Sequence, residues 1–232
     1  LDYLIDYDPA TRTFWSWDGD AGDIPGDDQF DPRGGPQETA DIPTGEYTST
    51  TIAGFRFLQV STPDNRADDP DQPAVFRYVR YENLISARYD MKVAEAYEYM
   101  SGADLPLGEK YMKGFGDNPY QEVPPRAKWS PMFGFGPFTL GFGDSVVIVY
   151  AMACASIDEA RAIELGWRVK NEGYDPALAK KEIYEEGKAR LWAQFDKAGA
   201  VWQSAPNFNV PFPPDPPDVT ITSGPEKVFV EW

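Results

Sequence analysis

The 232-residue sequence contains no histidine and only one cysteine. Without histidine, the chain cannot build a Ser-His-Asp or Cys-His nucleophile system, nor a zinc or iron site with imidazole ligands. One cysteine cannot form an intrachain disulfide, and this leaves the redox compartment open because extracytoplasmic proteins can also lack disulfides. Cys154 ends an apolar run, so we predict that it is a buried small hydrophobic residue rather than a disulfide partner.

Basic residues are scarce as well. Lys and Arg total 21 against 38 Asp and Glu, which gives a net charge of −17 at pH 7. This charge repels a phosphate backbone or an anionic lipid surface, so we predict no nucleic-acid partner. The apolar run before Cys154 has about ten residues, half of what a membrane span needs. We therefore predict no transmembrane segment in this chain.

The sequence does contain enough apolar residues, 42% hydrophobic and 15% aromatic, to bury one sizeable core and a small second module. Two aromatic-rich runs, residues 1–7 and 11–17, are joined by the turn signal Asp8-Pro9-Ala10 and predict a β-hairpin. Trp15 and Trp17 are two residues apart and share one face of the second strand. That arrangement suits a sugar-stacking platform, and core packing explains it equally well.

Residues 18–44 are rich in Asp, Gly and Pro and are predicted to form a long irregular loop. A hard cation such as Ca²⁺ would relieve the repulsion between its carboxylates. EF-hand spacing is not met, because Gly22 and Gln29 fall at ligand positions. The alternatives are therefore an irregular Ca²⁺ site and a solvated acidic loop. The candidate ligands are Asp18, Asp20, Asp23, Asp27 and Asp28.

Further strands are predicted at residues 52–60 and 74–80, then a helix at 91–101 and a loop at 103–136. Residues 144–154 are apolar on both faces and predict a central strand.

Two helices are predicted after that strand. Ser156 and Glu159 resemble a capping box that opens a helix near residues 156–171. Asp175-Pro176 opens a second helix, near residues 175–198, which ends before Gly199. Tyr184, Leu191, Trp192 and Phe195 form a stripe along it, which predicts a core face or a groove for a partner.

Three segments follow from this pattern: a β-rich main domain at 1–205, a proline-rich linker at 206–217, and two short strands at 218–232. The linker is expected to be extended polyproline II, and such segments bind partners at little entropic cost. Its candidate interaction residues are Pro211, Phe212, Pro213 and Pro214, which join Trp15 and Trp17.

Two stretches resemble known families. PPDPPDVTITSGPEKVFVEW, residues 213–232, resembles the start of a fibronectin type III domain, in which Trp232 would be the core tryptophan of the second strand. We therefore expect the native polypeptide to extend past Trp232. GPFTLGFGDS, residues 136–145, with the strand after it, resembles a segment of uncharacterised secreted or surface multidomain bacterial proteins, with Gly141-Phe142 in place of Ala-Pro. This resemblance implies an extracytoplasmic location and a β-sandwich-like core, and it implies no chemistry.

The sequence thus predicts a β-dominated α+β protein: a sandwich-like sheet core, two consecutive helices and the first strands of a fibronectin type III-like module. We expect a non-catalytic structural or interaction protein, an accessory subunit of a larger cell-envelope assembly that binds other protein chains. It is not expected to be an enzyme, and no cofactor is expected other than Ca²⁺ at the acidic loop. The alternative is a secreted carbohydrate-binding or carbohydrate-active protein that uses Trp15, Trp17 and the acidic loop.

Overall fold

A computed structural model describes residues 3–19, 46–63, 67–80, 97–98, 100–103, 110–112, 129–208, 210, 220–224 and 227–231. The chain forms two compact units, Leu1–Gly199 and Ala200–Trp232. The strands and helices with defined bounds are β1 (Tyr3–Asp8), β2 (Thr13–Asp18), β3 (Ile52–Val60), β4 (Val75–Arg80), β5 (Trp129–Gly134), β6 (Ile148–Ala155), α1 (Glu159–Glu172), α2 (Pro176–Gln203), β7 (Thr220–Gly224) and β8 (Lys227–Glu231). Residues 97, 98, 100 and 101 are also helical.

The described strands pair antiparallel and form three sheets. The largest has the order β1-β2-β3-β6, and β4 pairs with β5 in a second sheet. In the second unit β7 pairs with β8. The chain is therefore an α+β protein with antiparallel sheets and two consecutive helices.

Alternation along the strands sends side chains to two different layers. On β2, Trp15 and Trp17 are directed to α2, where they cluster with Tyr184 and Leu191. Phe14, on the opposite face of the same strand, packs against Phe76 of β4. The four-stranded sheet is consequently covered by a helix on one face, and its first three strands are covered by the β4-β5 sheet on the other.

The β1-β2 hairpin is confirmed, and its turn is fixed by Asp8. The two carboxylate oxygens of Asp8 accept hydrogen bonds from the Ala10 amide at 2.9 Å and from the Thr11 hydroxyl at 2.7 Å. The strand predicted at residues 52–60 is confirmed as β3, and the strand predicted at 74–80 is confirmed as β4.

The two predicted helices are present, with different ends. The helix that was predicted from Ser156 begins at Glu159, with Asp158 at the N-cap position, because the Ser156 hydroxyl is held by Thr50 at 2.5 Å. α2 begins as predicted, with the Asp175 carboxylate accepting a hydrogen bond from the Ala177 amide at 2.9 Å. It does not stop before Gly199 but continues to Gln203.

Two predictions failed, one of a loop and one of a strand's position in the sheet. Residues 103–136 were expected to be loop, yet β5 lies among them and pairs with β4. The strand predicted at 144–154 is present as β6, which begins at Ile148, but its expected central position was wrong: β6 is the last described strand in the sheet order, and one of its faces is exposed. Of the predicted helix at 91–101, residues 91–96 and 99 lie outside the described residues, as do residues 20–45 of the acidic loop.

A buried ion pair ties β2 to α2. Lys180 Nζ lies 3.1 Å from Asp18 Oδ2, and the two side chains are only 3% and 4% exposed. A buried charge that loses its partner keeps its desolvation penalty without the compensating attraction.

We therefore expect Lys180→Met to lower the free energy of unfolding by about 3–5 kcal/mol, measured by urea denaturation. Adding Asp18→Asn should recover part of the loss, because the amide carries no charge. The matched control is Lys181→Met, whose exposed pair with Glu185 at 3.7 Å contributes at most about 0.5 kcal/mol. A Lys180→Met variant as stable as the control would contradict the structural role of this pair.

Alanine substitutions at two glycines are expected to change the stability of the chain in opposite directions. A Cβ at Gly54 of β3 would lie 2.2 Å from the Phe14 carbonyl oxygen, whereas a Cβ at Gly199 in α2 meets nothing within 4 Å. Gly54→Ala should therefore destabilise the chain by about 2 kcal/mol or more. Gly199→Ala should stabilise it by about 0.5–1 kcal/mol, because alanine loses less backbone entropy in a helix. Thermal melts of the two variants should shift in opposite directions, and shifts of the same sign would refute the close approach at Gly54.

Candidate interaction surface

The largest side chains of β6 are exposed. Every second residue, starting at Ile148, faces away from α2, and these residues form what we call the outer face of β6: Ile148, Tyr150, Met152 and Cys154. Met152 is 74% exposed and Tyr150 is 54% exposed. Cys154 was predicted to be buried, and this was wrong, because it belongs to the exposed row.

The other face of β6 carries small residues from Ala151 onward. Ala151, Ala153 and Ala155 are partly buried against the cluster that contains Leu191 and Phe195 of α2. A methyl side chain lets the helix approach the sheet closely on this face. The size difference between the two rows therefore orients β6, with its large residues directed away from the helix.

The β4-β5 sheet covers the first three strands of the large sheet on the same side as the outer face. The ring of Phe133 on β5 lies 5.3 Å from Tyr7, 5.2 Å from Phe55 and 5.1 Å from Phe57. β6 continues this aromatic surface, because the Tyr150 ring lies 6.2 Å from that of Phe55. Beyond Tyr150, Met152 is opposite Phe55 in the strand register and is mostly exposed.

The backbone edge of β6 is open within the described part of the chain. β6 follows β3 in the sheet order, and no described strand lies on its other side. The sequence of β6, IVYAMACA, contains no charged residue and no proline. Edge strands are commonly protected by lysine, proline or a bulge, because their free N–H and C=O groups can pair with another chain. The residues of β6 therefore give its edge neither the lysine nor the proline that commonly protects an edge strand.

A short turn before β6 presents a second apolar group. Phe142 is fully exposed and Leu140 is 57% exposed. Phe142 lies in a turn from Gly141 to Asp144. The Asp144 carboxylate accepts a hydrogen bond from the Gly141 amide at 2.7 Å, and the Asp144 amide donates to the Gly141 carbonyl at 3.2 Å. Gly143 has φ of 91°, a conformation that suits glycine.

Both ends of this segment are anchored to the core. The buried Gln72 side chain accepts a hydrogen bond from the Gly136 amide at 2.9 Å. Ser61, which is fully buried, exchanges two hydrogen bonds of 2.8 Å with the Val147 backbone. The exposure of Phe142 therefore arises in a segment that is held at both ends.

The charged residues nearest to β6 in the sequence, Asp144 and Asp158, already form hydrogen bonds within the chain. Arg190 donates two hydrogen bonds to the Asp158 carboxylate, at 2.8 and 2.6 Å, and these bonds hold the pKa of Asp158 below its usual value. On the other side of β6, Asp144 is the residue that closes the turn. The outer face itself carries no formal charge.

Trp15 and Trp17 lie in the core. Each is 3% exposed, and the Trp15 indole donates a hydrogen bond to the Tyr184 hydroxyl at 3.1 Å. The Trp17 and Tyr184 rings are 4.8 Å apart. The two tryptophans share a face as predicted, and that face packs on α2, so neither indole is open to a sugar ring.

Of the predicted calcium ligands, Asp18 is buried in its pair with Lys180. The remaining candidates lie outside the described residues, and so do the proline-segment candidates: Asp20, Asp23, Asp27, Asp28, Pro211, Phe212, Pro213 and Pro214. Within the described ranges, no group of three or more Asp, Glu, Cys or His side chains is placed to hold a metal ion.

A groove of about 700 Å³ runs along one face of α2, and it is a weaker candidate site. Its wall includes Lys188 and Trp192. The Lys188 ammonium lies 4.3 Å from the centre of the Trp15 ring and 5.3 Å from that of Trp192. The chain's own cation therefore already occupies the aromatic faces that would attract a cationic ligand.

Comparison of the chain with protein-family models, with curated proteins and with solved structures gives no match. None of the helices in the described ranges has the length and hydropathy to cross a bilayer. The arrangement of side chains is therefore the basis for a functional conclusion.

The sequence contains a signal for the outer face that the strand prediction did not use. In IVYAMACA, large and small residues alternate from Tyr150 onward, with alanine at every second position. Because both rows are apolar, the pattern is typical of a strand that is buried on both faces. Alternation in size, rather than in polarity, distinguished the row that packs on the helix from the row that is exposed.

Because Cys154 is exposed, we expect its thiol to react in the folded chain. In the folded, dilute chain, one thiol per molecule should react with Ellman's reagent without denaturant, because thiolate reactivity requires access. The Cys154→Ser variant should give no signal. If the thiol reacts only after urea is added, the orientation of β6 described above is contradicted.

Proposed function

We propose that this chain is a non-catalytic protein-binding module of an extracytoplasmic assembly, and that it contacts other protein chains through the outer face of β6. The observation that carries the proposal is the row of large apolar side chains on β6, of which Met152, 74% exposed, is the most prominent. Among the described strands, none pairs with the outer edge of β6. Contiguous exposed apolar patches on folded proteins mark interaction sites.

The physical gain comes from two sources. Burying Tyr150 and Met152 removes apolar area from water, at about 25 cal/mol per Å². A strand that pairs with β6 also satisfies backbone N–H and C=O groups along the edge, as in binding by strand addition. The exposed Phe142 and Leu140 extend the apolar area beyond the strand.

The chemical character of the surface favours binding over catalysis. Proton transfer near neutral pH needs a titratable group positioned against a reacting atom. The outer face carries no carboxylate, ammonium or guanidinium group, and it offers a thioether, an aliphatic chain, a phenol and a thiol: Met152, Ile148, Tyr150 and Cys154. These are the side chains of a contact surface.

The extracytoplasmic location and the accessory role rest on sequence resemblance. The segment at residues 136–145 resembles proteins of the bacterial surface. β7 and β8 pair antiparallel in an unbroken register from Thr220–Glu231 to Gly224–Lys227, which is consistent with the first hairpin of a fibronectin type III-like module. A sandwich-like arrangement of the β4-β5 sheet against the larger sheet agrees with the same proposal.

The test is site-specific photocrosslinking in the native host. A photoreactive phenylalanine analogue placed at Tyr150 should give adducts with protein chains that mass spectrometry can identify. The same analogue at Trp167, which is 48% exposed on α1, is the matched control and should give none of these adducts. Equal labelling at the two positions, or no adduct at Tyr150, would overturn the proposal.

A further inference from the structure

We infer that β6 pairs antiparallel with β6 of a second copy of this chain, so that the two four-stranded sheets join at this edge. The inference rests on the proposed function and names the partner at the same surface. The observations behind it are an edge on which no described strand lies, the absence of charged residues in β6 and the fit of the outer face to itself.

The charge distribution favours a second copy of this chain over a basic protein as the partner. With a net charge of −17, the chain as a whole attracts basic proteins. The outer face offers such a partner no free carboxylate, because β6 has none and the flanking Asp158 already binds Arg190. The complement of an uncharged apolar strand is another uncharged apolar strand, and β6 of a second copy is one.

Two-fold pairing also fits the side chains. In an antiparallel pair, residues that lie directly opposite each other are on the same face of the sheet. With Ala151 opposite Ala151 of the second copy, Tyr150 lies opposite Met152 and Ile148 opposite Cys154. The large side chains then meet on the outer face, where a sulfur–aromatic contact between Tyr150 and Met152 is favourable. The alanine row remains on the helix side.

The expected dimer is weak and responds to salt in a characteristic direction. One added strand pair gives an interface at the small end of specific complexes, so we expect half-dimerisation on the order of 10 µM. Like net charges repel, whereas apolar contacts are not screened. Raising NaCl from about 0.05 M to about 0.5 M should therefore strengthen the dimer, whereas it would weaken binding to a basic partner.

Sedimentation equilibrium of the purified chain tests the inference. The wild type should show monomer and dimer in concentration-dependent proportion, and Met152→Lys should raise the dissociation constant at least tenfold. Met152 is so exposed that the lysine variant should fold normally, which its melting curve checks. The matched control, Trp167→Lys on α1, should dimerise like the wild type.

Oxidative crosslinking tests the register. Ile148→Cys should give a disulfide-linked dimer through Cys154 of the second copy, because opposed residues in a strand pair lie within disulfide reach. The wild type and Val147→Cys, which is displaced to the other row, should remain uncrosslinked.

Three results would overturn the inference: a wild-type monomer up to about 100 µM at high salt, a dimer that persists in Met152→Lys, or equal crosslinking of Ile148→Cys and Val147→Cys. A strict monomer whose Tyr150 position still crosslinks to other proteins in the host would overturn the second copy as partner and leave the proposed function standing.

Discussion

The burial of the first three strands of the large sheet on both of their faces is the constraint on which the rest of the structure depends. Trp15 and Trp17 need α2 to cover them, and Phe14 and Phe55 need the β4-β5 sheet. Each layer exists because alternation along a strand sends apolar side chains in two directions. α1 is added in turn, because Ala179 and Ile183 of α2 form a second cluster with it.

The same constraint explains why β6 differs from its neighbours. It joins the sheet through β3 and packs Ala151, Ala153 and Ala155 against the cluster that contains the α2 residues, so it completes the core on one side. Within the described residues, the β4-β5 sheet has two strands against four in the sheet that it covers, and the aromatic contacts of Phe133 reach as far as Phe57 and Phe55. The outer face of β6 is what this difference in width leaves exposed.

Features that depend on neighbouring residues could be predicted from the sequence. The Asp8 turn and the Asp175 cap of α2 are examples. Features decided by distant residues could not be. Asp158 rather than Ser156 precedes α1, in keeping with the contacts of Ser156 with Thr50 and of Asp158 with Arg190. β5 was missed because Pro131 interrupts its strand pattern, and the edge position of β6 depends on strand order, which no local pattern reports.

The central claim is that the edge and outer face of β6 form a contact surface between two copies of this chain. Amide hydrogen exchange, read by mass spectrometry on peptides that cover residues 148–155, tests it most directly. As the chain is concentrated from about 1 µM to about 100 µM, these peptides should gain protection, because edge amides that exchange freely become hydrogen-bonded to the second strand. Peptides from α1 should not change. Unchanged exchange in β6, or protection gained at α1 instead, would contradict the account.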